Sequence, residues 1–322
     1  MFLTDVCSNL KRFIIMTALK QQILEKKSGF LFYGLTPPKL KTDTDKIKEI
    51  ANKQIERLKT LDLDGLILYD IQDESSRTDA PRPFPFLSTI SPDFYSSEYL
   101  QELKIPKIIY KSIGKQSPEE FRTWLKEQEN KIDLSVFVGA PSKSQRTNLS
   151  LQQAYQIKKK SESSILLGGV TIPERHLKKG NEHTRVFDKI NSGCHFFISQ
   201  CVYNLENTKN FISDYYYWAQ DNNKEMVPII FTLTPCGSLK TLEFMNWLGI
   251  DIPKWLKSDL QHSNNILSES VKNCTKIASE LLEYANKKNI PIGFNIESVA
   301  IRKEEIEASI DLVITIKAMM NF

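Results

Sequence analysis

Apolar residues in this chain gather into short runs, and the runs alternate with stretches of helical spacing. Phe30-Leu-Phe-Tyr-Gly-Leu35 is the first, closed by Thr36-Pro37-Pro38. Further runs lie at 65–70, 106–110, 134–138, from Ile165, from His195, at 227–233 and at 290–299. Each is short, apolar and bounded by turn residues, the pattern of a strand buried on both faces. Between them the spacing predicts helices. Asp43 to Leu61 carries Ile47, Ile50, Ala51, Ile55 and Leu58 on one face. Others are predicted at 17–27, 95–103, from Ser117, 148–159, 182–192, 207–219, 268–287 and 304–319. Ser117-Pro-Glu-Glu120 has the pattern of a helix start, and Asn148 is the expected cap of the helix it precedes.

Eight buried strands alternating with helices place the chain in the α/β class. They favour a closed (β/α)8 TIM barrel over an open doubly wound sheet. No composition break divides the chain, so one barrel domain is expected over 29–322, behind an N-terminal extension and helix at 1–28. Met16 offers a second start, just ahead of the first helix. There is no GxGxxG, and the one Gly-Gly pair, Gly168-Gly169, lacks the rest of a dinucleotide fingerprint.

Composition narrows the partners. A net charge of +4 over 322 residues is mild, and the basic residues are scattered, which argues against nucleic acid. No apolar run approaches the roughly 20 residues of a membrane helix. The basic-then-apolar Lys11 to Met16 is too short for a signal segment. The five cysteines form no CxxC pair, the usage of a reduced, cytoplasmic protein. Cys194, Cys201 and Cys236 sit in or beside apolar strands and read as core residues.

In such a barrel the chemistry lies at the C-terminal strand ends. Those ends offer Gly34 and Thr36, Tyr69 and Asp70, Tyr110 and Lys111, Gly139 and Ala140, then His176, Gln200, Thr234 and Glu297. No Ser or Cys has an evident partner base, and the four histidines show no metal-ligand spacing, so no metal is expected. The Pro173-Glu-Arg-His176 turn suits a phosphate or ribose, or simply the cap of a helix. Gln200, inside an apolar strand, is either a core amide satisfied by backbone or an amide facing a heteroaromatic ring. Glu297 is the sharper anomaly. A carboxylate in a strand buried on both faces costs several kcal/mol unless paired, a cost tolerated at active sites. Arg77, Arg82 and Lys107 read singly as surface charge, with pyrophosphate or a polyglutamate tail as the functional alternative. The aromatic loop from Pro81 to Phe86 is long enough to cover a barrel mouth.

The order of motifs resembles the methylenetetrahydrofolate reductase family. Tyr33-Gly-Leu-Thr-Pro-Pro38 is similar to its first-strand Phe-Glu-Phe-Phe-Pro-Pro. Leu68-Tyr69 through Ser76-Arg77-Thr78 resembles the Thr-Tyr-Gly strand end and its Arg-Asp-Arg-Thr loop. Gly169 to His176, with Lys189-Ile-Asn-Ser-Gly193, resembles the Tyr-Pro-Glu-x-His and Lys-Val-Asp-Ala-Gly pair. Phe197-Ile-Ser-Gln200 resembles Ile-Thr-Gln, and Ile252-Pro-Lys-Trp-Leu256 resembles Ile-Pro-x-Trp. The resemblance spans Phe30 to about Val299 and implies a folate substrate, FAD and NAD(P)H. It implies reduction of 5,10-methylenetetrahydrofolate to 5-methyltetrahydrofolate in one-carbon and methionine metabolism. On it, His176 and Lys189 would touch the flavin's ribityl or phosphate region, Tyr69 would lie near where the flavin or nicotinamide stacks, and Gln200 would hydrogen-bond the pterin.

Three departures stand out. Gly34 occupies the place of the family's essential acid, Ala140 that of the flavin-tuning Asp, and Ile172 that of a stacking aromatic. Two accounts fit. In one, the chemistry is kept with a relocated acid, Glu297 or Asp70, because the eighth and second strands flank the first in a closed barrel. Hydride would then pass directly from the nicotinamide if no flavin binds. In the other, the barrel binds folate or transfers a one-carbon unit without redox chemistry. Oligomeric state is not legible at this level.

Overall fold

The computed structural model describes residues 17–75, 78–140 and 147–321. Its centre is a closed parallel barrel whose eight strands follow one another in chain order. They are β1 (Phe30–Leu35), β2 (Gly65–Leu68), β3 (Lys107–Ser112), β4 (Leu134–Val138), β5 (Leu166–Thr171), β6 (Phe196–Cys201), β7 (Ile229–Leu233) and β8 (Ile292–Glu297). β8 pairs back onto β1, with Phe30 beside Gly293 and Gly34 beside Glu297. The (β/α)8 barrel read from the hydrophobic pattern is the fold.

The helices follow in the same order. They are α1 (Ala18–Leu24), α2 (Thr44–Leu58), α3 (Pro92–Tyr99), α4 (Pro118–Gln128), α5 (Leu151–Lys160) and α6 (Pro173–Lys179). Then come α7 (Glu182–Asn191), α8 (Leu205–Asp221), α9 (Leu239–Trp247), α10 (Lys254–His262), α11 (Ile266–Asn286) and α12 (Lys303–Met320). Among the described residues no helix is long and apolar enough to cross a membrane.

Local chemistry sets the boundaries. Ser117 and Glu120 form the reciprocal box expected at the start of α4. α5 starts two residues later than Asn148 predicted, because Ser150 and Gln153 form a second such box. Asn148 instead donates to the Lys115 carbonyl. α3 starts earlier than Tyr95, since Pro92 is well placed in a first helical turn. Of the readings open for Pro173-Glu-Arg-His176, the structure takes the helical one: the segment is the first turn of α6, a helix that ends at Gly180 in the left-handed conformation.

Strand alternation sorts the side chains into two cores. Phe30, Phe32, Ile67, Leu134, Phe196 and Ile230 fill the barrel interior, while the intervening residues pack outward beneath the helices. Large and small residues fit together inside. A Cβ on Gly168 would lie 2.4 Å from the Phe196 ring, so only glycine leaves that ring room. At the N-terminal end α1 lays buried Leu19 and Ile23 against the same cluster and closes the barrel floor. Burial of each is worth roughly 1.5–3 kcal/mol. The Lys20 ammonium holds α1 down through the Ser164 carbonyl.

Cys194, Cys201 and Cys236 are buried core thiols, as expected, and Cys274 joins them. Burial pushes the Cys194, Cys236 and Cys274 thiols up to about 12, which keeps them protonated and unreactive. Cys7 lies outside the described residues.

Candidate functional site at the barrel mouth

Phe294-Asn-Ile-Glu297 alternates strictly, so Asn295 and Glu297 point into the barrel while Phe294 and Ile296 join the outer core. On β1 the same alternation turns Gly34 inward, beside Glu297 in register. The carboxylate leans over the glycine. A Cβ on Gly34 would lie 3.0 Å from Glu297 Oε2 and 2.8 Å from the Tyr69 ring. Glycine at this position is what admits both side chains.

A hydrogen-bonded polar layer surrounds the carboxylate. The Asn295 amide donates to the Tyr69 hydroxyl at 2.9 Å and to Thr232 Oγ1 at 3.2 Å. Thr232 Oγ1 in turn donates to the Ser199 carbonyl at 2.9 Å. Tyr69 meets Tyr110 edge-on, with ring centroids 4.8 Å apart. Two acceptors in this layer, Glu297 Oε2 and Asn295 Oδ1, are buried with no hydrogen-bond partner among the described residues. Such orphans ask for an explanation in a native fold.

Electrostatics follow from that burial. Loss of water raises the Glu297 carboxyl above its ordinary range, and the approach of Tyr69 and Asn295 offsets this only in part. Burial and then the Glu297 charge hold the Tyr69 and Tyr110 hydroxyls well above the usual phenol range. The direction of the shift is toward the protonated form.

The other predicted residues are placed as follows. Asp70 is also raised by burial, but its Oδ2 accepts from the Ser112 backbone at 2.7 Å, tying β2 to β3. Gln200 sits where the β6 register against β7 breaks, between Ile198 and Cys201, and its amide donates to the Leu248 carbonyl at 3.0 Å. Such irregularities commonly re-aim a side chain near a site. Glu174, in the first turn of α6, is 8% exposed, and burial with neighbouring Asp251 and Glu182 pushes its carboxyl up to about 8. Lys107 is at the start of β3, the opposite end of the barrel, with its ammonium on the Leu103 carbonyl, so it serves no ligand at the mouth. Ser76 and Arg77 lie outside the described residues. Arg82 stands over the Phe86, Phe244 and Trp247 rings at 5.0–5.4 Å, packing the Pro81–Phe86 loop onto α9.

Asn295 and Thr232 escaped the sequence reading. Their one signal was a polar residue at an inward strand position, visible only once the inward register is known.

The family model described as methylenetetrahydrofolate reductase matches residues 154–310. A solved structure from Clostridium thermocellum shares 52% identity over 94% of this chain and 99% of its own, with a TM-score of 0.83. It is described as an uncharacterized protein that binds two copies of 5-methyl-5,6,7,8-tetrahydrofolic acid. The chain belongs to the methylenetetrahydrofolate reductase family. More distant barrels include a 2,3-dimethylmalate lyase at 13% identity, covering 92% of this chain and 91% of its own, and the 7,8-dihydropteroate synthase of Vibrio fischeri ES114 at 11%, covering 91% and 94%. Both have a TM-score of 0.43 and add nothing to the assignment. No curated protein matches.

The side chains that the resemblance to the methylenetetrahydrofolate reductase family offers to a flavin are engaged elsewhere in this structure. The Tyr69 hydroxyl is engaged by Asn295 and its ring crowds Gly34. His176 is 6% exposed, and its Nε2 is held 2.8 Å from Asp214 on α8. The Lys189 ammonium is bonded to the Val170 carbonyl. Ala140 supplies no carboxylate. The donor set does not fit a flavin, and no step below passes through one.

Proposed function

We propose that this protein is a folate enzyme of one-carbon metabolism, with Glu297 as the acid that the family places on β1. The observation that carries the reading is the Glu297 carboxylate over Gly34, 3.0 Å from where a β1 side chain would begin. The 52% identical relative that binds 5-methyltetrahydrofolate supports the substrate class.

The reaction is reduction of 5,10-methylenetetrahydrofolate by NAD(P)H. Protonated Glu297 gives its proton to the folate N10 as the N10–methylene bond breaks, leaving a methylene iminium on N5. The nicotinamide C4 passes a hydride to that carbon, yielding the N5-methyl group and NAD(P)⁺, and Glu297 regains a proton from solvent. Hydride transfer depends on orientation more than on ionisable groups. Gln200, anchored through its amide to Leu248, is the side chain that orients the pterin. Asp70 is the second candidate acid.

A second reading rests on the internal commitment of His176 and Lys189. The barrel would bind 5-methyltetrahydrofolate, or pass on its one-carbon unit, without redox chemistry. One experiment separates the two. Purified protein is titrated with 5-methyltetrahydrofolate, then assayed for NADH and NADPH oxidation with methylenetetrahydrofolate. Folate binding with turnover supports the reductase. Binding without turnover selects the non-redox reading, and absence of binding overturns both.

A further inference from the structure

Outside the barrel, α6, α7 and α8 bring together three side chains that play no part at the mouth. His176 is in α6, His183 in the first turn of α7 and Asp214 midway along α8. One ligand atom from each lies within 4.8 Å of the others. The two imidazole rings meet edge-on at 5.2 Å, and His176 Nε2 stands 2.8 Å from Asp214 Oδ2.

The Nδ1 atoms of His176 and His183 are both buried and lack a partner among the described residues, and His176 is 6% exposed. Two imidazoles and a carboxylate are a donor set suited to divalent first-row metals, zinc in particular. Zinc bonds of about 2.0–2.2 Å require the ligand atoms to draw closer than they stand. Binding therefore requires a small movement of the half-buried His183 and of the Asp214 side chain, which is 55% exposed. The exposed side of Asp214 leaves the fourth position to water.

We infer that His176, His183 and Asp214 form a zinc-binding site that ties α6, α7 and α8 together. It stands apart from the folate site: none of its ligands contacts Glu297, Tyr69 or Asn295.

The test uses the full chain, freed of metal by dialysis against a chelator. Zinc is titrated against a competing chromophoric chelator, and cobalt serves as a spectroscopic substitute. One zinc per chain is expected, together with the visible bands of a tetrahedral cobalt site. His183→Ala and Asp214→Asn should each weaken zinc binding by about tenfold or more. Neither residue is in the core, so melting of the metal-free variants should match the wild type. Absence of stoichiometric binding overturns the site, as does wild-type affinity in both variants.

Discussion

The two ends of this barrel are built from the same strands and differ in what fills them. At the floor, Phe30, Phe32, Leu134 and Phe196 interlock, and Leu19 and Ile23 of α1 seal them from water. At the mouth, the next inward positions carry Tyr69, Thr232, Asn295 and Glu297, with two buried acceptors left unpaired. Apolar burial stabilises the first end, whereas polar burial costs stability at the second. A fold accepts such a cost where a ligand supplies the missing partners. On the proposed function, the contrast separates residues that hold the barrel from residues offered to the ligand.

Substitutions should reproduce that division. The largest effect on stability belongs to the floor. Phe196→Ala empties the space beside Gly168 and should cost about 3–5 kcal/mol in denaturant unfolding, with folate binding at the mouth retained. A loss of folate affinity greater than the loss of folded protein would break the separation.

At the mouth the sign reverses. Burial raises the Glu297 carboxyl in the folded protein, so the native state binds its proton more tightly than the unfolded chain. Below the unfolded value, near 4.5, both states are protonated and nothing is lost. As pH rises past that value the unfolded state ionises first, and stability falls until the folded carboxyl has also ionised. Glu297→Gln should remove this fall and leave the variant the more stable at neutral pH. Unfolding curves that stay parallel across pH would contradict a raised carboxyl.

Gly34→Ala tests the close approach. Its methyl group must displace Tyr69 or Glu297, at about 1–3 kcal/mol, and should disturb turnover as well as stability. A silent substitution would show that the carboxylate does not lean over β1 in solution. The smallest effect should come from Asp70→Asn, which keeps an oxygen for the Ser112 backbone. About 1 kcal/mol and less than tenfold in turnover are expected. A larger loss of turnover would move the acid from Glu297 to Asp70.

The sequence made the barrel legible because strands buried on both faces are short apolar runs that little else imitates. Glu297 was legible for the same reason, as a carboxylate where such a run allows none. Asn295 was not, since an amide in a strand is unremarkable until its inward direction is known. α6 was hidden because Pro173 at its start reads as a turn, although proline is tolerated in a first helical turn. The His176, His183 and Asp214 cluster could not be read at all: its members come from three helices, and only packing brings them together.

The most direct test of the account compares wild type with Glu297→Gln in NAD(P)H oxidation by methylenetetrahydrofolate, with 5-methyltetrahydrofolate affinity measured in parallel. Loss of the acid should lower turnover by roughly 10²–10⁴-fold while folate affinity is largely kept. Turnover in the variant equal to that of the wild type would contradict the role of Glu297 and return the missing acid to another residue.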